Sequence, residues 1–153
     1  LGSPASSADF LHSKLLAPLG MRHTVFEMDP SGVFVGSSYI YASARDWARL
    51  GQLMLNNGEW NGEQLLSTDW VARASRPNHS DNGAAYGSQF WLNRGSDKPL
   101  YPQLPADAYF MLGNRKQAVM ISPSTNTVIV RLGWSASGYP TGENFARLLP
   151  ART

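Results

Sequence analysis

Three short apolar segments near the end of the chain, joined by tight turns, constrain its fold more than any other feature. They run over Ala108–Gly113, Gln117–Ser122 and Thr127–Gly133, with only three and four residues between them. Short connections rich in Gly, Asn and Pro return a strand antiparallel to the one before it. The sequence therefore predicts an antiparallel β-meander, preceded by a half-buried strand over Tyr86–Leu92.

Earlier in the chain the apolar residues follow helical spacing. The clearest helix is predicted over Ala44–Asn56, where Ser43 is placed to cap the exposed amides and Asp46 to complete a capping-box-like pair. The apolar residues that recur on one face of this segment are Trp47, Leu50, Leu53 and Met54. They predict a buried stripe.

Shorter elements flank this helix. A first helix is predicted over Ser7–Ala17, capped by Ser6 or Ser7. The segment Val25–Tyr41 has repeated turn residues and fits loops and short strands. Another short helix is predicted after Ser67.

These elements indicate an α+β fold. Residues 1–80 are expected to form a mostly helical segment, and residues 81–153 an antiparallel β-meander with a C-terminal helix over Asn144–Leu149. We expect the two parts to form one folding unit.

Composition excludes several classes of protein and site. The net charge of +2, from 13 basic and 11 acidic residues, is too small and dispersed for a nucleic-acid footprint. The sequence has no run of about 18 apolar residues, so it predicts no membrane span. Leu1–Phe10 lacks the layout of a signal peptide. Without cysteine the chain has no disulfide and no thiolate nucleophile. Its histidines, His12, His23 and His79, fall at no metal-ligand spacing.

Four stretches carry a resemblance to a known family. They are Pro18-Leu19-Gly20-Met21, the block from Gly36 to Gly62, Tyr86-Gly87 with Phe90-Trp91, and the run from Gly113 to Arg131. In this order they resemble the second half of the penicillin-recognising serine hydrolases. The most similar branch comprises the class C β-lactamase-like esterases and amide hydrolases, including the hydrolases of 6-aminohexanoate dimers. The resemblance implies part of the β-lactamase/transpeptidase-like fold.

The nucleophile motifs of that family do not occur in this chain. The family activates a serine with the lysine of a Ser-x-x-Lys turn and a Tyr-x-Asn loop, because a hydroxyl is a weak nucleophile without an adjacent base. Lys14, Lys98 and Lys116 each have Leu or Gly three positions earlier, and no tyrosine is followed two residues later by asparagine. In the family both motifs precede the Pro-Leu-Gly-Met segment.

We therefore expect the chain to be the C-terminal part of a serine-dependent ester or amide hydrolase, lacking the N-terminal strands and the nucleophile helix and inactive alone. A non-catalytic ligand-binding or interaction module on the same fold is the alternative. The resemblance implies a small-molecule ester or amide substrate, and neither a cofactor nor a metal ion. It favours a periplasmic or secreted location and leaves a cytoplasmic one open.

The resemblance also implies a catalytic role for one turn. In the family a glycine ends the first strand of the meander, and the next backbone amide donates to the oxyanion. Gly113 matches that glycine, so Asn114 would supply the backbone N–H. Such a donor stabilises the transition state by roughly 2.7–4 kcal/mol. From the local sequence alone, an ordinary hairpin turn explains the same two residues.

Substrate contacts are expected from the residues before that glycine. Met111 stands where many relatives carry a lysine that binds the carboxylate of penicillins, which argues for a neutral ester or amide substrate. Leu112, Tyr109 and Tyr86 are the other candidates for the cleft wall. Cross-strand packing is the alternative for the aromatic residues.

Two basic residues, Arg115 and Lys116, occupy the tip of the predicted hairpin. They are candidates to contact an anionic group of a substrate, and a solvated turn is the alternative.

The composition of the last predicted strand indicates that it pairs with a further strand. Residues Thr127–Leu132 are almost all apolar, as in a strand buried on both faces. In complete relatives this strand pairs with one from the N-terminal region, and an open apolar edge invites pairing with another chain. We expect a strand-paired dimer or association with the protein's own N-terminal part.

Overall fold

The computed structural model describes residues 4–78, 85–95 and 98–151. Its α-helices are α1 Pro4–Leu11, α2 Ala44–Leu55, α3 Thr68–Ala74 and α4 Thr141–Ala146. Its strands are β1 Thr24–Phe26, β2 Ile40–Ala42, β3 Glu59–Trp60, β4 Glu63–Gln64, β5 Trp91–Leu92, β6 Tyr109–Gly113, β7 Gln117–Ser122 and β8 Thr127–Arg131. His79 and the expected boundary after residue 80 lie outside the described residues.

The predicted meander is confirmed. Strands β5 to β8 form a four-stranded antiparallel sheet in chain order. Gly113 pairs with Gln117 across a three-residue turn, and Ser122 pairs with Thr127 across the next connection. The bounds of β7 match the prediction, whereas β6 begins one residue later and β8 ends two residues earlier than expected.

Both faces of this sheet are covered. On one face, α2 and α3 pack against Val119 and Ile121 of β7. On the other face, Phe145 of α4 packs against Met120 and Phe110. Alternate residues of a strand point to opposite faces, so a strand covered on both sides is apolar throughout. The mixed helical and antiparallel architecture confirms the predicted α+β class.

The N-terminus of α2 is tied to β1 through a buried carboxylate. Ser43 caps the helix as predicted, and its Oγ accepts from Asp46 N at 3.2 Å. The Asp46 side chain does not close a full capping box, because Ser43 N donates to the carbonyl oxygen of His23. The Asp46 side chain instead accepts from His23 N at 2.7 Å, from Thr24 Oγ1 at 3.3 Å and from Arg49 Nη1 at 2.6 Å.

The first helix starts earlier than predicted. It begins at Pro4, so Ser6 and Ser7 lie inside α1 and are not its caps. Proline is favoured at the first helical position because its missing N–H is not needed there. A π-helical turn over His12–Leu16 continues the helix. The last helix, α4, likewise begins three residues before the predicted Asn144.

The strand predicted over Tyr86–Leu92 was too long. Only Trp91–Leu92 is a strand, and Tyr86 forms an isolated bridge to Trp91. Gly87 lies so close to α3 that a Cβ there would collide with the carbonyl oxygen of Ala74. Gln89 has φ 72°, in the left-handed region. The chain therefore leaves the extended conformation at Gln89, just before β5.

The segment predicted as loop and short strand is confirmed. Strands β1 and β2 lie at its two ends and pair with each other, and Met28 and Phe34 form a bridge between them. None of the helices in the described ranges is long and apolar enough to cross a membrane.

Candidate active site

An open cleft of about 340 Å³ lies at the end of the meander where β6 turns into β7. The residues that line it are Gly113, Asn114, Arg115, Lys116, Ser135 and Ala136. The first four form the hairpin turn, and the last two follow β8. The turn that the sequence singled out as the oxyanion-stabilising element therefore faces a cavity.

The turn itself has a defined backbone. Asn114–Lys116 form one turn of 3₁₀ helix, in which Gln117 N donates to the carbonyl oxygen of Asn114. Arg115 and Lys116 take left-handed φ angles of 57° and 67°, whereas Asn114 does not. The side chain of Asn114 adds a local bond, since its Oδ1 accepts from Arg115 N at 2.8 Å.

Gln117 holds the chain beyond β8 against this turn. Its Nε2 donates to the carbonyl oxygen of Gly133 at 2.6 Å, and its Oε1 accepts from Gly133 N at 2.9 Å. The side-chain amide thus takes the place of a backbone partner after β8 has ended. Ser135 N then donates to the carbonyl oxygen of Arg115 at 3.2 Å. These bonds bring Ser135 and Ala136 to the opposite wall of the cleft.

Arg131, the last residue of β8, joins the two walls. Its Nη1 donates to the carbonyl oxygen of Lys116 at 2.6 Å, and its Nη2 donates to Ser135 Oγ at 2.7 Å. The guanidinium carbon lies 3.8 Å from the centroid of the Tyr139 ring. A guanidinium bonded in its plane and stacked on an aromatic face is restrained in both position and orientation.

The cleft has a cationic character. Arg115 and Lys116 line it, Arg131 lies directly behind Ser135, and no lining residue is acidic. The guanidinium carbon of Arg115 lies 5.0 Å from the ring centroid of Trp134, which is 78% exposed. In the described part of the chain, no group of three or more His, Asp or Glu side chains could hold a metal ion.

Four of the predicted site residues lie away from this cleft. Tyr109 is buried, and its ring packs edge-on against Phe90 at 5.4 Å. Burial, with a smaller effect of the Asp107 charge, raises the pKa of Tyr109, so its hydroxyl stays protonated. Met111 packs on the α2 face of the sheet and Leu112 on the α4 face.

Tyr86, the fourth of these residues, packs its ring against Trp91 at 4.9 Å. The structure therefore brings Gly113, Asn114 and Arg115 together at the cleft and uses the other candidates for packing.

The sequence alone did not point to Ser135, Ala136 or Arg131 as site residues. They reach the cleft through contacts with residues 15 to 20 positions earlier, and no local pattern predicts such contacts. The pair formed by Gln117 and Gly133 leaves a signal in the sequence, a glutamine directly after the turn and a glycine at the end of the last predicted strand.

This chain is similar to one protein family, to a known hydrolase and to several solved structures. The Beta-lactamase family model matches residues 2–147. The 6-aminohexanoate-dimer hydrolase of Paenarthrobacter ureafaciens is 27% identical over 122 residues, which cover 72% of this chain and 29% of that protein. The chain thus spans less than a third of this relative.

Two solved structures have the same fold. A Bacillus anthracis protein, provisionally described as a 6-aminohexanoate-dimer hydrolase, matches 90% of this chain and 36% of its own, with a TM-score of 0.69 and 26% identity. A Bacteroides dorei DSM 17855 protein, provisionally described as a beta-lactamase, matches 92% of this chain and 50% of its own, with a TM-score of 0.62 and 15% identity. At 15% identity the second likeness shows the fold alone.

These similarities confirm the resemblance seen in the sequence and support a hydrolase function. The chain belongs to the Beta-lactamase family.

Proposed function

We propose that this chain supplies the oxyanion-stabilising turn and one wall of the active-site cleft of a serine-dependent ester or amide hydrolase. One observation carries the proposal. In a member of the Beta-lactamase family, Gly113 ends a central strand, Asn114 directly follows it, and both line an open cleft.

The proposed chemistry is acyl transfer through an acyl-enzyme. When a serine oxygen attacks the substrate carbonyl, negative charge develops on the carbonyl oxygen. A backbone N–H aimed at that oxygen stabilises the charge, and loss of one such donor lowers kcat about 10²–10³-fold. The donor proposed here is Asn114 N–H. Gln117 and Arg131 restrain the turn, so its geometry is set before the substrate binds.

The attacking serine and its base are proposed to belong to motifs outside this sequence. Two observations support this. None of the lysines lies three positions after a serine. The relatives are longer, because the chain spans 29% of one and 36% of another. On this proposal the chain alone has no nucleophile and no activity.

The substrate class is an ester or amide. Two relatives carry the name 6-aminohexanoate-dimer hydrolase, so that dimer is the first amide to test.

A fluorophosphonate probe tests the proposal because it labels only an activated serine. We expect labelling of the complete product of the gene that encodes this sequence, and none of residues 1–153 alone. Labelling of residues 1–153 would contradict the assignment of the nucleophile to other sequence. A complete product that resists labelling would favour the alternative, a ligand-binding module without turnover.

We also propose that the outer edge of β8 pairs with a further strand. Among the described residues, β8 is an edge strand of the sheet, and apolar residues pack on both of its faces. An uncovered edge of this kind pairs readily with another strand. Light scattering of residues 1–153 at micromolar concentration is expected to give the mass of a dimer, and a monodisperse monomer would rule out self-pairing.

A further inference from the structure

We propose that the cleft is a subsite for an anionic group of the substrate, most simply a carboxylate, held by Arg115, Lys116 and the Ser135 hydroxyl. The inference rests on the proposed function, since it assigns a substrate class to the same cleft. It follows from which hydrogen-bonding groups of the cleft are already occupied.

The oxygens of the turn already accept hydrogen bonds. The carbonyl oxygen of Asn114 accepts from Gln117 N, that of Arg115 from Ser135 N, and that of Lys116 from Arg131 Nη1. Asn114 Oδ1 accepts from Arg115 N. Each of these oxygens already has one donor, and the charges of Arg115 and Lys116 at the cleft disfavour a cationic ligand group.

The Ser135 hydroxyl is set up as a donor. A guanidinium has only donors, so in the 2.7 Å contact with Arg131 Nη2 the Ser135 oxygen must accept. That contact leaves the hydroxyl hydrogen available to a second partner, and Ser135 lines the cleft. Donation from a cation also polarises the hydroxyl and strengthens its own donation.

The two basic residues of the turn add donors and positive charge on the facing wall. The guanidinium of Arg115 stacks over the Trp134 ring, a contact that uses the face of the group and not its N–H edges. Those edges match the two oxygens of a carboxylate. Lys116 lies next to Arg115 and is exposed.

This inference revises the expectation of a neutral substrate. That expectation depended on Met111 in place of a family lysine, but Met111 packs against the α2 face of the sheet. The positive charge of this cleft comes from the hairpin tip and from the end of β8.

Matched ligands test the inference without requiring turnover. Hexanoate and hexanamide have the same shape and differ in charge. We would measure the Kd of each for the complete gene product by ligand-observed NMR, and expect hexanoate to bind at least about tenfold more tightly because bonds to a charged group are stronger. Ser135→Ala should reduce that ratio about tenfold, and Arg115→Gln about two- to fivefold.

Two further variants sharpen the comparison. Ser135→Asp puts a carboxylate beside Arg131 and should abolish the preference for hexanoate. Ser137→Ala, an exposed neighbour that does not line the cleft, should keep the wild-type ratio. Equal Kd values for the two ligands, or a ratio that Ser135→Ala and Ser135→Asp leave unchanged, would overturn the subsite. Fluorophosphonate labelling is read separately, so the hydrolase proposal can stand or fail independently of this result.

Discussion

Arg131 Nη1 lies 2.6 Å from the carbonyl oxygen of Lys116, so the last strand holds in place the turn between the two strands before it. The same guanidinium bonds Ser135 Oγ and stacks on Tyr139. Together with the bonds made by Gln117 and Ser135 N, this side chain fixes the distance between the two walls of the cleft. If the turn stabilises an oxyanion, Arg131 is a positioning residue for it.

We predict that Arg131→Ala lowers the free energy of unfolding by about 1.5–3 kcal/mol, the usual contribution of hydrogen bonds to a charged group. Urea denaturation of the variant and the wild type measures this. Arg147→Ala is the matched control, because Arg147 is exposed and should change stability by no more than about 0.5 kcal/mol. Equal effects of the two substitutions would show that Arg131 does not hold the cleft together.

The pH dependence of stability should report on Asp46. Burial alone would raise the pKa of this carboxyl, but the bonds from His23 N and Thr24 Oγ1 and the charge of Arg49 hold it below its usual value. The unfolded chain has an aspartate pKa of about 3.9. Because the folded-state pKa is lower, the ionised form stabilises the fold above about pH 4, and this stabilisation is lost as pH falls through the folded-state pKa.

Asp46→Asn should therefore reduce the free energy of unfolding at pH 7 by about 1–3 kcal/mol and flatten its decline below about pH 4. Chemical denaturation between pH 7 and pH 3 gives both quantities. Asp9→Asn, a change at an exposed position of α1, is the control and should follow the wild-type profile. A profile for Asp46→Asn that runs parallel to the wild type would contradict this role.

The third prediction concerns the close packing of α2 on the sheet. A Cβ on Gly51 would lie 2.6 Å from Val128 Cγ1 and 3.2 Å from Val119 Cγ1. Alanine in a helix is favoured over glycine by about 1 kcal/mol, whereas overpacking a core costs about 1–3 kcal/mol. We expect Gly51→Ala to lower the free energy of unfolding by about 1–2 kcal/mol.

Val128→Ala should relieve that clash. In a double-mutant cycle measured by urea denaturation, the two substitutions together should be less destabilising than their sum by at least about 0.5 kcal/mol. Additive effects would mean that Gly51 is not in close contact with β8.

Local patterns in the sequence predicted much of this fold. The turn residues at Gly113–Lys116 and Pro123–Asn126 were sufficient to predict the meander. A strand that follows so short a connection can pair with the preceding strand only in the antiparallel direction. Ser43 and the apolar stripe that follows it likewise predicted α2 and its cap.

Contacts between distant residues could not be predicted in this way. Asp46 has a partner 23 positions earlier in His23, and Ser88, within the predicted strand, donates from its backbone N to the carbonyl oxygen of Ala74 in α3. The candidate site likewise contains residues that local sequence predicts and residues that it does not. Gly113 and Asn114 follow from the turn, whereas Ser135 depends on bonds that exist only once the sheet has formed.

In the proposed mechanism Asn114 N–H stabilises a developing oxyanion. Asn114→Pro removes this N–H at a position where proline fits, because Gly113 before it is extended with ψ 174° and Asn114 has no positive φ. Asn114→Ala keeps the N–H and removes only the side chain. The two variants therefore separate the backbone donor from the asparagine itself.

The decisive measurement is kcat of both variants in the complete gene product, with thermal unfolding to show that each is folded. We expect Asn114→Pro to lower kcat about 10²–10³-fold for an ester substrate, and Asn114→Ala to lower it by less than about tenfold. A folded Asn114→Pro variant as active as Asn114→Ala would contradict that mechanism.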